Sequence, residues 1–376
     1  MKSTLLLSAV ILIFAVSCSI DSQMPFIASK HDNSDTLISI IQSYTDRGLP
    51  GVILYVSDSS AGEFAYASGY SNIASGETMT YEHSMRIGSI TKTYTAALIL
   101  DMHERGEMDI DSKASDYLDD SLVSTVDNLG EVTVKQLLNH TSGIFNYTET
   151  SMFGLTMLND MDRIWTYADA LKCIAQENAY FDPGTGFHYS NTNYIILGLI
   201  VESVTGHSFA DMLDSRIIKP CNLNNTYYYP DRTKPEGLAH GYCDMYGNGQ
   251  ICDATEFTMG HMTPDGGIIS TAGDMSLFFN SLLNGNILNQ STVDLMTERN
   301  ETGDSGDEYG LGLAFTKTDC GTAVGHSGSM YGYNAEMHTF PENNVTYILL
   351  VNGSGKTISP LIDSMKTEIL DIIFEE

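Results

Sequence analysis

Apolar residues recur along this chain with two periods, and each switch of period marks an element. Leu37, Ile38, Ile40, Ile41 and Tyr44 stand at helical spacing, so residues 35–47 read as an amphipathic helix. Residues 51–57 and 64–68 are strand-like runs joined through Asp58-Ser-Ser-Ala-Gly62, the pattern of a β-hairpin. Residues 91–102 then read as a helix that ends near Gly106. From about 107 to 260 the spacing is mostly that of helices and loops. Residues 134–138, 167–178, 194–204 and 208–218 are helical; Cys173 falls on the inner side of its helix, and Gly206 and Pro220 act as stops. A short helix over 272–283 follows Gly266-Gly267. Strand patterns dominate at 309–316, 322–325, 333–340 and 345–351, before an amphipathic helix over 358–374. Strands near both ends with helices inserted between them predict an α/β sheet lobe and an all-helical lobe, with a cleft between the two.

Composition adds limits to this picture. The chain has 376 residues, 42% hydrophobic and 18% charged, which suits one large globular domain or two joined lobes. Its 48 acidic side chains against 18 Lys and Arg give a formal net charge of -30, which argues against a nucleic-acid partner. Residues 1–17 carry Lys2, an apolar stretch over 5–16 and a small-x-small site at Ala15-Val16-Ser17, the pattern of a signal peptide. Cys18 follows directly, so the segment also resembles a bacterial lipoprotein signal with Cys18 as lipid anchor. The plainer alternative is ordinary cleavage at the same place with Cys18 unmodified. Residues 18–33 then form a polar tether and 34–376 the folded domain. The expected location is the cell surface or periplasm, with membrane attachment through Cys18.

Five further cysteines remain, an odd number that cannot all pair within one chain. Cys243 and Cys252 flank a Gly-Asn-Gly turn and are a candidate disulfide if they stand opposite each other. His240 and His261 lie outside that pair, but the spacing matches no common zinc pattern, and no metal is expected.

Three stretches carry candidate chemistry. Ser89 precedes Lys92 by three residues at a helix start, so hydroxyl and amine share a face. The early N–H groups of a helix lack intrahelical partners, which leaves the Ser89 N–H free to face an oxyanion. Gly88 lets the chain turn into that helix, and Arg86 reads as an anchor for the loop before it. A serine and a lysine on a solvated helix face are the plain alternative. Tyr189-Ser-Asn191 lies between a turn-rich loop and an apolar helix; a cationic neighbour such as Lys92 would lower the tyrosine pKa, and Asn191 can bond a lysine or a substrate amide. His326-Ser327-Gly328 ends a strand pattern, where Gly328 permits close backbone approach and the Ser329 N–H offers a second oxyanion donor. Taken singly, the last two are a loop and a turn. His140 and His188, beside these motifs, read as structural hydrogen-bonding residues.

Ser89-Ile-Thr-Lys92, Tyr189-Ser-Asn191 and His326-Ser-Gly328 occur in the order and at separations that resemble the penicillin-recognising serine hydrolases. That family includes class C β-lactamases, D-alanyl-D-alanine carboxypeptidases, and related esterases and D-aminopeptidases. Leu137-Leu-Asn-His-Thr-Ser-Gly-Ile144, Pro183-Gly-Thr-Gly-Phe-His-Tyr-Ser-Asn191 and Gly266-Gly-Ile-Ile-Ser270 also look like family signatures, and the resemblance covers roughly 34–352. It implies a β-lactamase/transpeptidase-like fold, with an antiparallel sheet flanked by helices beside the helical lobe. It implies a Ser89 nucleophile, Lys92 and Tyr189 sharing the removal of its proton, and no cofactor. It also implies an acyl-enzyme formed from a D-amino-acid peptide, an ester or a β-lactam. True class C β-lactamases generally carry Lys-Thr-Gly in the third motif, where this chain has His326-Ser-Gly328. A largely neutral histidine attracts a β-lactam carboxylate less than lysine does, unless acidic surroundings raise its pKa. The expected order is therefore a carboxypeptidase-like peptidase or esterase first and a β-lactamase second. A penicillin-binding sensor that acylates without turnover is the third reading.

Overall fold

The computed structural model describes residues 31–161, 163–228, 235–257, 263–301 and 308–375. The expected signal peptide, most of the tether, Cys18 and His261 lie outside the described residues. The strands used below are β1 (Gly51–Asp58), β2 (Gly62–Asn72), β3 (Glu77–Thr78), β4 (Asn300–Glu301), β5 (Glu308–Tyr309), β6 (Ala314–Thr318), β7 (Gly321–Met330), β8 (Tyr333–Phe340) and β9 (Val345–Val351). The principal helices are α1 (Ser34–Asp46), α2 (Thr91–Glu104), α3 (Asn191–Thr205), α4 (Ala272–Leu283) and α5 (Ser359–Phe374).

One antiparallel sheet contains all nine strands in the order β3-β2-β1-β9-β8-β7-β6-β5-β4. Early and late strands meet at its centre, with Val52 of β1 opposite Val351 of β9. This pairing explains why strand patterns fall near both ends of the chain. Strand β1 is apolar without alternation because both faces are covered. Val52, Leu54 and Val56 share a core with Leu37, Ile41 and Tyr44 of α1 and with Ile362, Met365 and Ile369 of α5. Ile53 and Tyr55 belong to the larger core on the opposite face, with α2, α4 and the helical lobe. That lobe is built from α3 and the shorter helices Val134–Leu138, Ser151–Asn159, Tyr167–Ile174 and Phe209–Leu213. Cys173 is buried there.

Helix α2 is the axle between the lobes, and every residue from Thr91 through Met102 is buried. Three threonines on it bury hydroxyls, and each has a partner, as burial of a polar group requires. Thr91 Oγ1 accepts from the Ile268 N–H at 3.1 Å, Thr93 donates to the Gly312 carbonyl at 2.8 Å, and Thr95 donates to the Pro264 carbonyl at 2.7 Å. These bonds tie the helix to two segments, 264–268 and 310–313.

Two strand expectations change in the structure. The run expected over 309–316 is two strands, because the chain leaves the sheet at 310–313 to meet α2. Gly312 adopts φ +74°, and a Cβ there would lie 2.6 Å from the Ala96 Cβ. The strand expected over 322–325 runs on to Met330, so His326-Ser-Gly328 lies inside β7 rather than after it. Strand β6 pairs with β7 only as far as Gly325, while β8 pairs with it to Met330. Residues 326–330 therefore have one backbone edge that no strand among the described residues covers. Helix α3 also starts earlier than its apolar pattern, with Asn191 as its first residue.

Leu54 is fully buried in the centre of the sheet, whereas Leu155 is 60% exposed on the helical lobe. Leu54→Ala is expected to cost about 2–5 kcal/mol and Leu155→Ala less than about 0.5 kcal/mol, read as urea-unfolding midpoints. Equal costs for the two would contradict the two-sided burial of β1.

Candidate active site

A single 3-10 turn, Gly88–Ile90, delivers the chain from the sheet lobe into α2 and sets Ser89 at the mouth of the cleft. Gly88 has φ +53°, and a Cβ on it would stand 3.0 Å from the Ser329 backbone nitrogen. Across the seam, a Cβ on Gly328 would lie 1.9 Å from the Ile87 carbonyl oxygen and 3.0 Å from the Ser89 nitrogen. Two backbones thus meet at a distance that only glycines allow. The contact lies along the uncovered edge of β7. It brings the Ser89 and Ser329 residues to the wall of one cavity of about 300 Å³, shared with Tyr147, Phe153, Asn191 and Asp265. Arg86 anchors the approach to this turn, donating to the Phe257 carbonyl at 2.8 Å and the Thr255 carbonyl at 2.9 Å.

Lys92 lies beneath Ser89 and is fully buried. Its Nζ is 3.2 Å from Ser89 Oγ, 2.7 Å from Asn191 Oδ1 and 2.8 Å from the Asp265 carbonyl oxygen. Those three acceptors match the three donors of an ammonium group. Burial nevertheless pulls its pKa down to about 8, with the Asp265 carboxylate opposing that fall. Asn191 is held in turn by Thr148, whose hydroxyl accepts from Asn191 Nδ2 at 3.1 Å, and by Asn146, whose Oδ1 accepts the Asn191 N–H at 3.1 Å.

Tyr189 comes from the loop that leads into α3. Its buried hydroxyl makes no hydrogen bond of normal geometry, and Ser89 is the polar side chain that faces it. The Lys92 ammonium is 4.9 Å from the centre of the Tyr189 ring. The expectation that Lys92 lowers the tyrosine pKa is reversed. Burial dominates and pushes the phenol well above its ordinary value, only partly offset by the facing Ser89 hydroxyl. The His140 ring packs against Tyr189 at 4.3 Å, and His140 Nδ1 accepts the Ser190 N–H at 3.1 Å, which fixes the loop. His188 braces the next layer, with Nε2 3.2 Å from Glu149 Oε1.

His326 keeps the neutral state expected of it. Its Nδ1 lies 2.6 Å from the Ser327 carbonyl, which requires an Nδ1–H donor, so Nε2 accepts from the Tyr309 hydroxyl at 2.9 Å. Acidic surroundings do not raise its pKa. Burial, followed by the charge of Lys92, pulls it down to about 3. His326 is a neutral, fully engaged group that stiffens the β7 edge, and its ring nitrogens are not free to meet a carboxylate. Ser327 is exposed beside it.

The structure therefore sets Ser89, Asn191 and Ser329 on the wall of one cavity, with Lys92 and Tyr189 buried next to Ser89 and Gly328 at the seam behind it. Sequence reading missed Asp265, Tyr147 and Tyr309. Asp265 was legible as the one acid directly before Gly266-Gly267, whereas only the fold brings Tyr309 to His326. Cys243 and Cys252 stand directly opposite each other in antiparallel register, and both are free thiols. The His240 ring is occupied, with Nδ1 2.7 Å from Asp253 Oδ2 and Nε2 3.1 Å from Asn72 Nδ2. Among the described residues no three His, Cys, Asp or Glu side chains cluster as a metal site.

Comparison with known proteins identifies the family. Residues 37–363 fit the family model described as Beta-lactamase. Penicillin-binding protein 4* of Bacillus subtilis is 27% identical over 310 residues, covering 78% of this chain and 66% of its own length. The chain thus spans just under two thirds of that relative. The D-amino acid amidase from Ochrobactrum anthropi SV3, solved with L-phenylalanine, aligns with a TM-score of 0.78 at 26% identity, over 90% of this chain and 98% of its own. A D-stereospecific amidohydrolase from Streptomyces sp. aligns with a TM-score of 0.75 at 27% identity, over 88% and 98% of the two chains. With a family model matched across most of its length and the catalytic-type cluster in the expected cleft, the chain belongs to the Beta-lactamase family.

Proposed function

We propose that this protein is an exported serine hydrolase that forms an acyl-enzyme on Ser89 from a D-amino-acid peptide, amide or ester. The observation that carries this reading is the 3.2 Å contact between a buried Lys92 amine of depressed pKa and the Ser89 hydroxyl. A serine needs a base to become nucleophilic, and a lysine whose pKa is about 8 is neutral in roughly a tenth of molecules at pH 7. Neutral Lys92 takes the Ser89 proton as the oxygen attacks the carbonyl carbon. The Ser89 and Ser329 N–H groups hold the oxyanion, each such donor typically worth about 10²–10³ in rate. Tyr189, kept neutral by burial, acts as proton donor to the leaving group and recovers its proton from Lys92. Water then attacks the acyl carbon through the same pair in reverse and releases the acid.

The names of the relatives support the substrate class, since a D-amino acid amidase shares this fold and a penicillin-binding protein is similar in sequence. Neutral His326 supports peptides, amides and esters ahead of β-lactams, because the third motif offers no cation to a β-lactam carboxylate. For location, residues 1–17 serve as signal peptide, Cys18 as lipid anchor and 18–33 as tether. Outside the cell the facing thiols of Cys243 and Cys252 are positioned for oxidation to a disulfide.

Ser89→Ala is expected to abolish turnover of D-alanyl peptides and nitrophenyl esters, and Tyr189→Phe to lower kcat by at least about 10²-fold. Wild-type turnover in either variant would remove the assignment, and faster hydrolysis of a chromogenic cephalosporin than of these substrates would reverse the ranking.

The proton acceptor sets the pH profile. If neutral Lys92 is the base, kcat/KM rises with pH and levels off above an apparent pKa of about 8. Asp265 raises the lysine pKa, so Asp265→Asn is expected to move that rise to lower pH. A profile unchanged in the variant would exclude Lys92 as the titrating group. Mass spectrometry of the membrane-bound mature protein is expected to find lipid on an N-terminal Cys18; an unmodified Cys18 would refute the anchor.

A further inference from the structure

A series of hydrogen bonds leads from Glu149, at the protein surface, to the buried Lys92, and every bond in it points the same way. Asn146 caps the 3-10 turn Tyr147–Glu149. Its Nδ2 donates to Glu149 Oε1 at 3.0 Å. Its Oδ1 accepts from the Thr148 hydroxyl at 3.0 Å and from the Asn191 N–H at 3.1 Å. Having given its proton to Asn146, the Thr148 oxygen accepts from Asn191 Nδ2 at 3.1 Å. The Asn191 amide thereby turns its oxygen to Lys92, whose Nζ donates to it at 2.7 Å. At the outer end an ionised carboxylate accepts and never donates, so Glu149 fixes the sense of the series. Burial works against the charge of Glu149, but hydrogen bonds from Asn146, Tyr180 and His188 together outweigh it and hold the pKa below the ordinary carboxylate value. Tyr180 donates to Glu149 Oε2 at 2.8 Å, and its oxygen accepts the Asn146 N–H at 3.1 Å, which repeats the same sense along a second path.

We infer that Glu149, Asn146 and Thr148 are positioning residues that hold Asn191 with its amide oxygen, and not its nitrogen, toward Lys92. The inference rests on acylation at Ser89 as proposed above. The two ends of the Asn191 amide have nearly the same shape, so packing alone does not choose between them, and the hydrogen-bond series does. A reversed amide would aim an N–H at the Lys92 ammonium and leave that charge one acceptor short. Lys92 is fully buried, so solvent does not make up the loss. The charged form would suffer more than the neutral one, and Lys92 would titrate below its present pKa of about 8. Asp265 is the other charged group that acts on Lys92, while Tyr189, His140 and His326 around it are kept neutral by burial. A carboxylate at the surface thus sets the basicity of an amine it does not touch.

The test titrates Lys92 directly, by NMR of the whole protein carrying isotope-labelled lysine, with the signal identified by its absence in Lys92→Arg. Thr148→Val removes the hydroxyl at nearly constant shape. It is expected to lower the Lys92 midpoint by about one pH unit, the scale of one lost hydrogen bond to a charged group. Thr148→Ser keeps the hydroxyl and is expected to keep the midpoint. Glu149→Gln, at the surface, is expected to shift it in the same direction as Thr148→Val. In Thr148→Val the rise of kcat/KM with pH is expected to move down with the midpoint, and kcat to fall at least about tenfold. An unmoved midpoint in Thr148→Val or in Glu149→Gln, or a Thr148→Ser protein that shifts as Thr148→Val does, would overturn the inference. Failure of the wild type to hydrolyse any peptide or ester, with the midpoints as expected, would instead refute the acylation chemistry alone.

Discussion

The burial of one lysine is the constraint around which the site is arranged. An ammonium taken out of water is costly unless its donors are matched, and Lys92 meets three acceptors from three different parts of the chain. One belongs to the 3-10 turn before α2, one to the start of α3 and one to the loop before Gly266. Holding all three fixes the helical lobe against the sheet lobe beside Ser89. The same burial destabilises the charged form, so the group that locks the cleft also has a lowered pKa. Structural cost and shifted protonation come from a single desolvation.

A second constraint acts through the backbone rather than through charge. Gly88 and Gly328 let two main chains approach until their amides border one cavity. Because those donors are backbone groups held by a 3-10 turn and by a strand paired to β8, their orientation is set before any substrate arrives. Little reorganisation is then needed as negative charge develops.

Much of this was legible in the sequence, and the exceptions have physical causes. The helices at 35–47 and 272–283 and the strands at 333–340 and 345–351 appear close to where their patterns fall, because each buries a regular stripe or run of apolar residues. The strand at 322–325 was read too short because His326, Ser327 and Gly328 lack the apolar side chains that mark a strand. They continue it for the backbone edge they present. The split at 310–313 escaped notice because Gly312 answers to α2, a partner more than 200 residues away. Ser89, Lys92, Tyr189 and Asn191 were legible because local spacing carries part of their geometry. The pKa shifts at the site were not. The pKa of Tyr189 and of His326 depends on how much protein surrounds them, and no spacing in the sequence encodes that depth.

A second cavity adjoins the one at Ser89, and its wall, which carries Tyr246 and Lys356, hangs from a short parallel pairing between Gly353–Gly355 and Tyr242–Asp244. The first of these segments follows directly from β9, the strand at the centre of the sheet and buried along its whole length. The hairpin and the turn at Ser89 therefore meet across Ser329 and Met330, which border both cavities. One face of that wall is hung from the centre of the sheet, and the other looks onto the cleft.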